Sequence, residues 1–194
     1  MEIYTDASIC GNKFGIGILF IYDNDVEKTH SSSLRILDIR NELFGNIGRL
    51  TTKKISNDPN IGEGLAILRS LQMLSYKIED VTLYTDSLTF FELLYNFRKT
   101  KNEILSIIVK RCKILIKKKN IDIRWIKAHV GVYGNEIADK LSKEGRKNLC
   151  ESLFLEKIIR KIEKGTQLKC GEQQFYNRKQ RINRLEKLKQ LEIN

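Results

Sequence analysis

The chain has 194 residues, 41% hydrophobic and 30% charged, which suits one ordinary domain with an appendage and excludes a chain disordered throughout. Its formal net charge of +11 points toward a polyanionic partner, and the surplus is uneven: residues 1–145 carry 22 Lys and Arg against 18 Asp and Glu, residues 146–194 carry 13 against 6. No apolar run approaches membrane-spanning length, and Cys10, Cys112, Cys150 and Cys170 show neither CxxC pairing nor Cys/His metal spacing. Because Met1-Glu-Ile-Tyr runs straight into a strand pattern, with no signal-peptide pattern, the expected setting is intracellular (cytoplasm or nucleus), with free thiols.

In chain order, residues 2–5 and 14–22 read as strands joined by the turn-forming Cys10-Gly-Asn-Lys, so a hairpin is expected, and residues 27–37 supply a third strand. Residues 38–59, with Gly45, Gly48 and the only proline, Pro59, fit a loop or an extra hairpin. Apolar positions at Leu65, Leu68, Leu71 and Leu74 predict a helix over 62–75. Val81-Thr-Leu-Tyr-Thr is a strand, helices follow at 87–97 and 102–119, and the alternating Ile121–Ile126 is another strand. A polar loop with Gly131 and Gly134 leads to a helix over 135–146. Hairpins followed by helix–strand alternation predict an α/β fold, a mixed sheet covered by helices. Beyond it, residues 149–164 read as a helix, Gly165–Gly171 as a break, and Ile182, Leu185, Leu188 and Leu191 as an apolar stripe on a basic helix.

Four acids fall where such a fold would gather them. Asp6 and Asp86 each follow a short strand in nearly the same phrase, Tyr4-Thr-Asp-Ala-Ser and Tyr84-Thr-Asp-Ser. Acids just past adjacent strands sit at the rim of a sheet, where ligands bind, and two close anions repel unless a cation lies between them. Glu63 opens the next helix and Asp139 lies in the first turns of the last core helix, so both could aim at that rim. Oxygen ligands of this kind suit magnesium or manganese. Taken singly, each has an ordinary reading: a turn former, a first-turn anion, a solvated helix residue.

Read together with Trp125-Ile-Lys-Ala-His-Val-Gly-Val-Tyr-Gly-Asn-Glu-Ile-Ala-Asp139, the set resembles type 1 ribonuclease H. Thr5-Asp-Ala-Ser-Ile-Cys-Gly-Asn12, Gly62-Glu-Gly-Leu-Ala-Ile-Leu and the Asp86-Ser87 pair match that family's other motifs, in order, over residues 1 to 146. The resemblance implies a ribonuclease H-like five-stranded mixed sheet with helices on both faces, and divides the chain into a domain at 1–146 and a basic helical extension at 147–194. It implies that Asp6, Glu63, Asp86 and Asp139 hold two divalent ions, Mg²⁺ or Mn²⁺. His129 would aid proton transfer or product release; a histidine titrates near neutrality and can carry a proton. Asn12, Ser87 and Asn135 would touch an RNA–DNA hybrid, the implied substrate, whose RNA strand would be cut. Trp125 could contact the hybrid or pack as a core aromatic, and Cys10 reads as a packing residue.

The sequence also departs from the pattern. Ala7 stands where the family usually has Gly, and residues 38–59 exceed the usual link. Between the helices near 97 and 102 there is no room for a Trp- and Lys-rich protrusion. The Arg98-Lys-Thr-Lys turn and the Lys110–Lys119 helix offer charge but little aromatic surface. In this the domain resembles the retroelement branch, which makes a polymerase or reverse transcriptase a conceivable partner. The basic extension could grip phosphates instead, or be a packing helix with solvated charges. Two further readings stay open: a nuclease of the same fold acting on another structured nucleic acid, such as a junction resolvase or an exonuclease, and a non-catalytic nucleic-acid-binding module. Ser8, where exonucleases of this fold carry Glu, counts against the exonuclease.

Overall fold

The structure, a computed structural model, describes residues 1–10, 13–23, 27–35, 58–75, 80–164 and 166–191. Asn12 and the predicted link over 38–57 lie outside the described residues. Five strands, β1 (Glu2–Cys10), β2 (Lys13–Ile21), β3 (Glu27–Arg35), β4 (Thr82–Thr85) and β5 (Asp122–Trp125), form one sheet in the order β3-β2-β1-β4-β5. The hairpin pairs β1 with β2 antiparallel, with Cys10 opposite Lys13, and β3 continues antiparallel on β2. β4 joins β1 in parallel and β5 joins β4 in parallel, so the sheet is mixed, as expected.

The period of two along these strands sorts the chain into two layers. Ile3 on β1 and Phe14, Ile16, Ile18 and Phe20 on β2 enter the main core with helices α1 (Pro59–Met73), α2 (Leu88–Leu94) and α3 (Glu103–Lys119). Their neighbours Tyr4 and Leu19 face the other way, against Ala138 of α4 (Tyr133–Glu163). Helices therefore cover both faces. Helix α3 starts where the Asn102 side chain accepts the Ile104 and Leu105 amides, and stops at Asn120, whose φ of 51° is left-handed. Lys117, Lys118 and Lys119 in its last turn oppose the negative end of its dipole.

Several expected boundaries shift. Pro59 is no loop residue: it occupies the first turn of α1, where its missing N–H costs nothing, and Asp58 caps the helix by accepting the Asn60 amide. Glu63 accordingly lies one turn inside α1 and does not open it. Strand β1 continues to Cys10, so Asp6 is not at its end; the parallel ladder to β4 stops instead, with Thr5 opposite Thr85. The helices expected at 135–146 and 149–164 are one 31-residue helix, α4, because no Gly or Pro interrupts it except Gly145.

The described chain forms two compact units, Met1–Leu149 and Cys150–Asn194. In the second, the end of α4 packs on α5 (Cys170–Leu191) through an edge-on contact of Phe154 and Phe175, rings 4.8 Å apart. Ion pairs of Lys161 with Glu172 and of Lys179 with Glu151 flank it, and Ile158 is fully buried. Helix α5 begins before Gly171, earlier than the expected break allows; the side chains of its apolar stripe lie outside the described residues.

Candidate metal and nucleic-acid site

The end of the β1–β4 ladder makes the site. Asp6 and Asp86 are the first residues beyond the paired Thr5 and Thr85, so their carboxylates emerge side by side at the sheet rim. Helix α1 brings Glu63 to the same point. One carboxylate oxygen from each of Asp6, Glu63 and Asp86 lies within 4.8 Å of the others. Asp6 is 7% exposed, and Glu63 Oε2 is buried without a hydrogen-bond partner among the described residues.

Three anions packed this closely oppose one another's ionisation. Burial pushes Asp6 up to about 7, aided by the charges of Asp86 and Asp139 and held back by a hydrogen bond from Ser142. Burial likewise raises Glu63 well above the carboxylate range, with Asp6 and Asp86 adding to it and the Ala7 amide drawing it down. An oxygen-rich, anion-crowded pocket with an orphaned acceptor fits a hard divalent cation.

The fourth acid, Asp139, falls into a neighbouring group. His129 and Glu136 each place a ligand atom within 4.8 Å of it and of one another, and Asp139 Oδ2 also accepts from Lys143 Nζ at 2.6 Å. His129 is exposed on the loop before α4, at a φ of 54°. Glu136 was missed by sequence reasoning, although its place three residues before Asp139 puts it on the same helix face.

Supporting contacts hold the acids in place. Ser142, also missed, donates to Asp6 Oδ2 at 2.6 Å, and its backbone carbonyl accepts from Ser8 at 2.8 Å. Its position three residues after Asp139 was the available signal. Asn135, 1% exposed, donates from Nδ2 to Asp86 Oδ2 at 3.1 Å, while its Oδ1 is buried without a partner among the described residues. The Ser87 hydroxyl accepts the Phe90 amide at 3.3 Å and so caps α2. Trp125 is no core aromatic: it is 42% exposed and its indole N–H donates to the Asp86 carbonyl at 3.1 Å. Aromatic surface beside the Arg98 turn is larger than expected, since Phe97 is 76% exposed and stacks on Tyr95.

A family model described as RNase H matches residues 1–147, the stretch that holds the sheet and every acid of the site. The chain belongs to the RNase H family of nucleases. A ribonuclease H of Orientia tsutsugamushi is 30% identical over 160 residues, covering 75% of this chain and 82% of that protein. Among solved structures, an RNase H1 from Halobacterium salinarum superposes with a TM-score of 0.57 at 19% identity, over 76% of this chain and 97% of its own. LC11-RNase H1, solved in complex with an RNA/DNA hybrid, gives 0.54 at 23% identity, over 77% of this chain and 98% of its own. In the family's terms, the acids of residues 6, 63 and 86 form a group that could hold metal.

Proposed function

We propose that this chain hydrolyses the RNA strand of RNA–DNA hybrids, with Asp6, Glu63, Asp86 and Asp139 holding two divalent ions, Mg²⁺ or Mn²⁺. The observation that carries the reading is the convergence of Asp6, Glu63 and Asp86 from three separate elements to within 4.8 Å, within a chain of this family. Bound there, a pair of divalent ions supplies an activated water and charge neutralisation for an in-line displacement at phosphorus.

The chain's own residues supply the rest. Asn135 and the Trp125 indole grip Asp86 by its carboxylate and its backbone carbonyl, so it cannot swing away from the rim. Ser142 fixes Asp6 in the same way. His129, exposed beside Asp139, is placed to take up or deliver a proton at its ring nitrogens. Ser87 uses an oxygen lone pair to cap α2, which leaves its hydroxyl proton free to donate to a 2′-hydroxyl, the group that distinguishes RNA from DNA. Phe97 and the neighbouring Arg98 turn offer stacking surface with charge beside it.

The test is cleavage of labelled RNA–DNA hybrid, double-stranded RNA, double-stranded DNA and a four-way junction, each with Mg²⁺ or Mn²⁺. Metal-dependent cutting confined to the hybrid's RNA strand is expected, falling at least ~100-fold in Asp86→Asn. Equal cutting of all four substrates, or activity that survives Asp86→Asn, overturns the reading.

A further inference from the structure

Among the described residues, Asp139 is the one acid of the site that stands in an ion pair. Lys143 Nζ lies 2.6 Å from Asp139 Oδ2, one turn further along α4. The two ends of the pair differ in setting, since the Asp139 side chain is 19% exposed and that of Lys143 is 55% exposed. The ammonium therefore reaches in from solvent onto a largely covered carboxylate.

Taken alone, an Asp–Lys pair at i,i+4 is an ordinary helix-surface contact of little worth. What surrounds this one sets it apart. The charge of Asp139 is felt by Asp6 and by Glu63, and Lys143 in turn favours the ionised form of Asp6. Asp139 also offers an oxygen within 4.8 Å of ligand atoms of His129 and Glu136. Lys143 thus places a positive charge on the acid that belongs to one ligand group and acts electrostatically on the other. An ammonium and a divalent ion on one carboxylate repel each other, so lysine and metal compete for Asp139. Releasing the ammonium carries no burial cost, because it is already half in water.

We infer that Lys143 is a tethered counter-cation of the site, which steadies Asp139 and lowers its affinity for a divalent ion. The ion held by Asp139 then binds only at a higher metal concentration than it would on an unpaired carboxylate. The inference rests on the reading that Asp139 holds one of the site's two ions. Lys143 acts through Asp139 and is a positioning residue.

The full chain, without nucleic acid, is titrated with Mn²⁺ by calorimetry. The ion that depends on Asp139 is the one weakened in Asp139→Asn. For that ion, Lys143→Met and Lys143→Gln should each tighten binding about 5- to 20-fold, the effect of removing a like charge some 5 Å away under partial screening. A variant that misfolds would not show such a gain. Lys143→Arg keeps the charge and should not tighten binding. In the Asp139→Asn background, Lys143→Met should change the remaining affinity by less than about 2-fold, because the lysine has lost the carboxylate through which it acts. Unchanged or weaker binding in both neutral variants, equal tightening in Lys143→Arg, or the same gain in the Asp139→Asn background overturns the inference. The two readings separate cleanly. If Asp139→Asn weakens no ion, the two-ion reading falls and the inference falls with it. If Asp139→Asn weakens one ion that the neutral Lys143 variants fail to tighten, only the inference falls.

Discussion

Asp6 illustrates how much a buried carboxylate in an acid cluster depends on neighbours that carry no charge. It is buried and crowded by Asp86 and Asp139, and the Ser142 hydroxyl donates to it at 2.6 Å. Replacing Ser142 by Ala removes a donor to the ionised form, so Asp6 should be harder to deprotonate and should bind a divalent ion more weakly. Loss of such an outer partner typically costs ~10- to 100-fold in metal affinity. Titration calorimetry with Mn²⁺ should show a drop in that range for Ser142→Ala; affinity equal to the wild type would assign the serine to helix packing alone. Asp6, Glu63, Asp86 and Asp139 could be picked out in the sequence because each sits in a stretch that resembles a family motif, whereas Ser142 and Glu136 could not. Their signal is only helical spacing around Asp139, and nearly every helix carries a polar residue three positions from an acid.

At the scale of elements, the close contact between α4 and β2 sets where Asp139 and Ser142 stand. Strand β2 turns Gly15 and Gly17 toward the helix, and a Cβ at Gly17 would fall 1.9 Å from the Ala138 carbonyl oxygen. The helix backbone must then move away from the sheet, since the obstacle is backbone and not the end of a side chain. Gly17→Ala should cost about 1–3 kcal/mol in urea unfolding, the usual cost of overpacking, and should lower hybrid cleavage at temperatures where the protein stays folded. By contrast, a Cβ at Gly131 meets nothing within 4 Å, and its cost would be the strain of a φ of 81°. A stable Gly17→Ala variant with full activity would show that the contact can open without moving the acids. The apolar and aromatic run Phe14–Tyr22 made the strand legible, but it assigned no role to Gly15 and Gly17. Only the helix packed against them explains why side chains are excluded there. Boundaries were lost for related reasons: Pro59 reads as a breaker until Asp58 is seen to cap α1, and strand β1 reads as short because Asp6 and Ser8 are polar, although both face α4. The mixed sheet covered by helices followed from the pattern, since hydrophobic period survives such local ambiguities, whereas helices on both faces followed from the family resemblance.

For the molecule as a whole, the acid cluster is a destabilising element that a bound cation would offset. Asp6 rises from an ordinary 3.8 to about 7 in the folded chain, and Glu63 moves in the same direction. A group whose folded pKa lies above its unfolded one binds more protons when folded, so folding is favoured at low pH and that advantage is lost as pH climbs from about 4 to about 7. This slope is opposite to the common carboxylate case, where an ion pair makes acid the destabilising condition. Metal-free protein, held in EDTA, should therefore lose thermal stability between pH 5 and pH 8, by about 5 °C or more, given ~2–4 °C per kcal/mol for a chain of this size. Saturating Mg²⁺ binds the deprotonated form, so the gap between metal-loaded and metal-free melting temperatures should widen across the same interval. Asp6→Asn removes the titrating group and should flatten the metal-free profile while abolishing much of the gap. A metal-free melting temperature that rises from pH 5 to pH 8, or a gap independent of pH, would mean that the three carboxylates do not share one crowded pocket in solution.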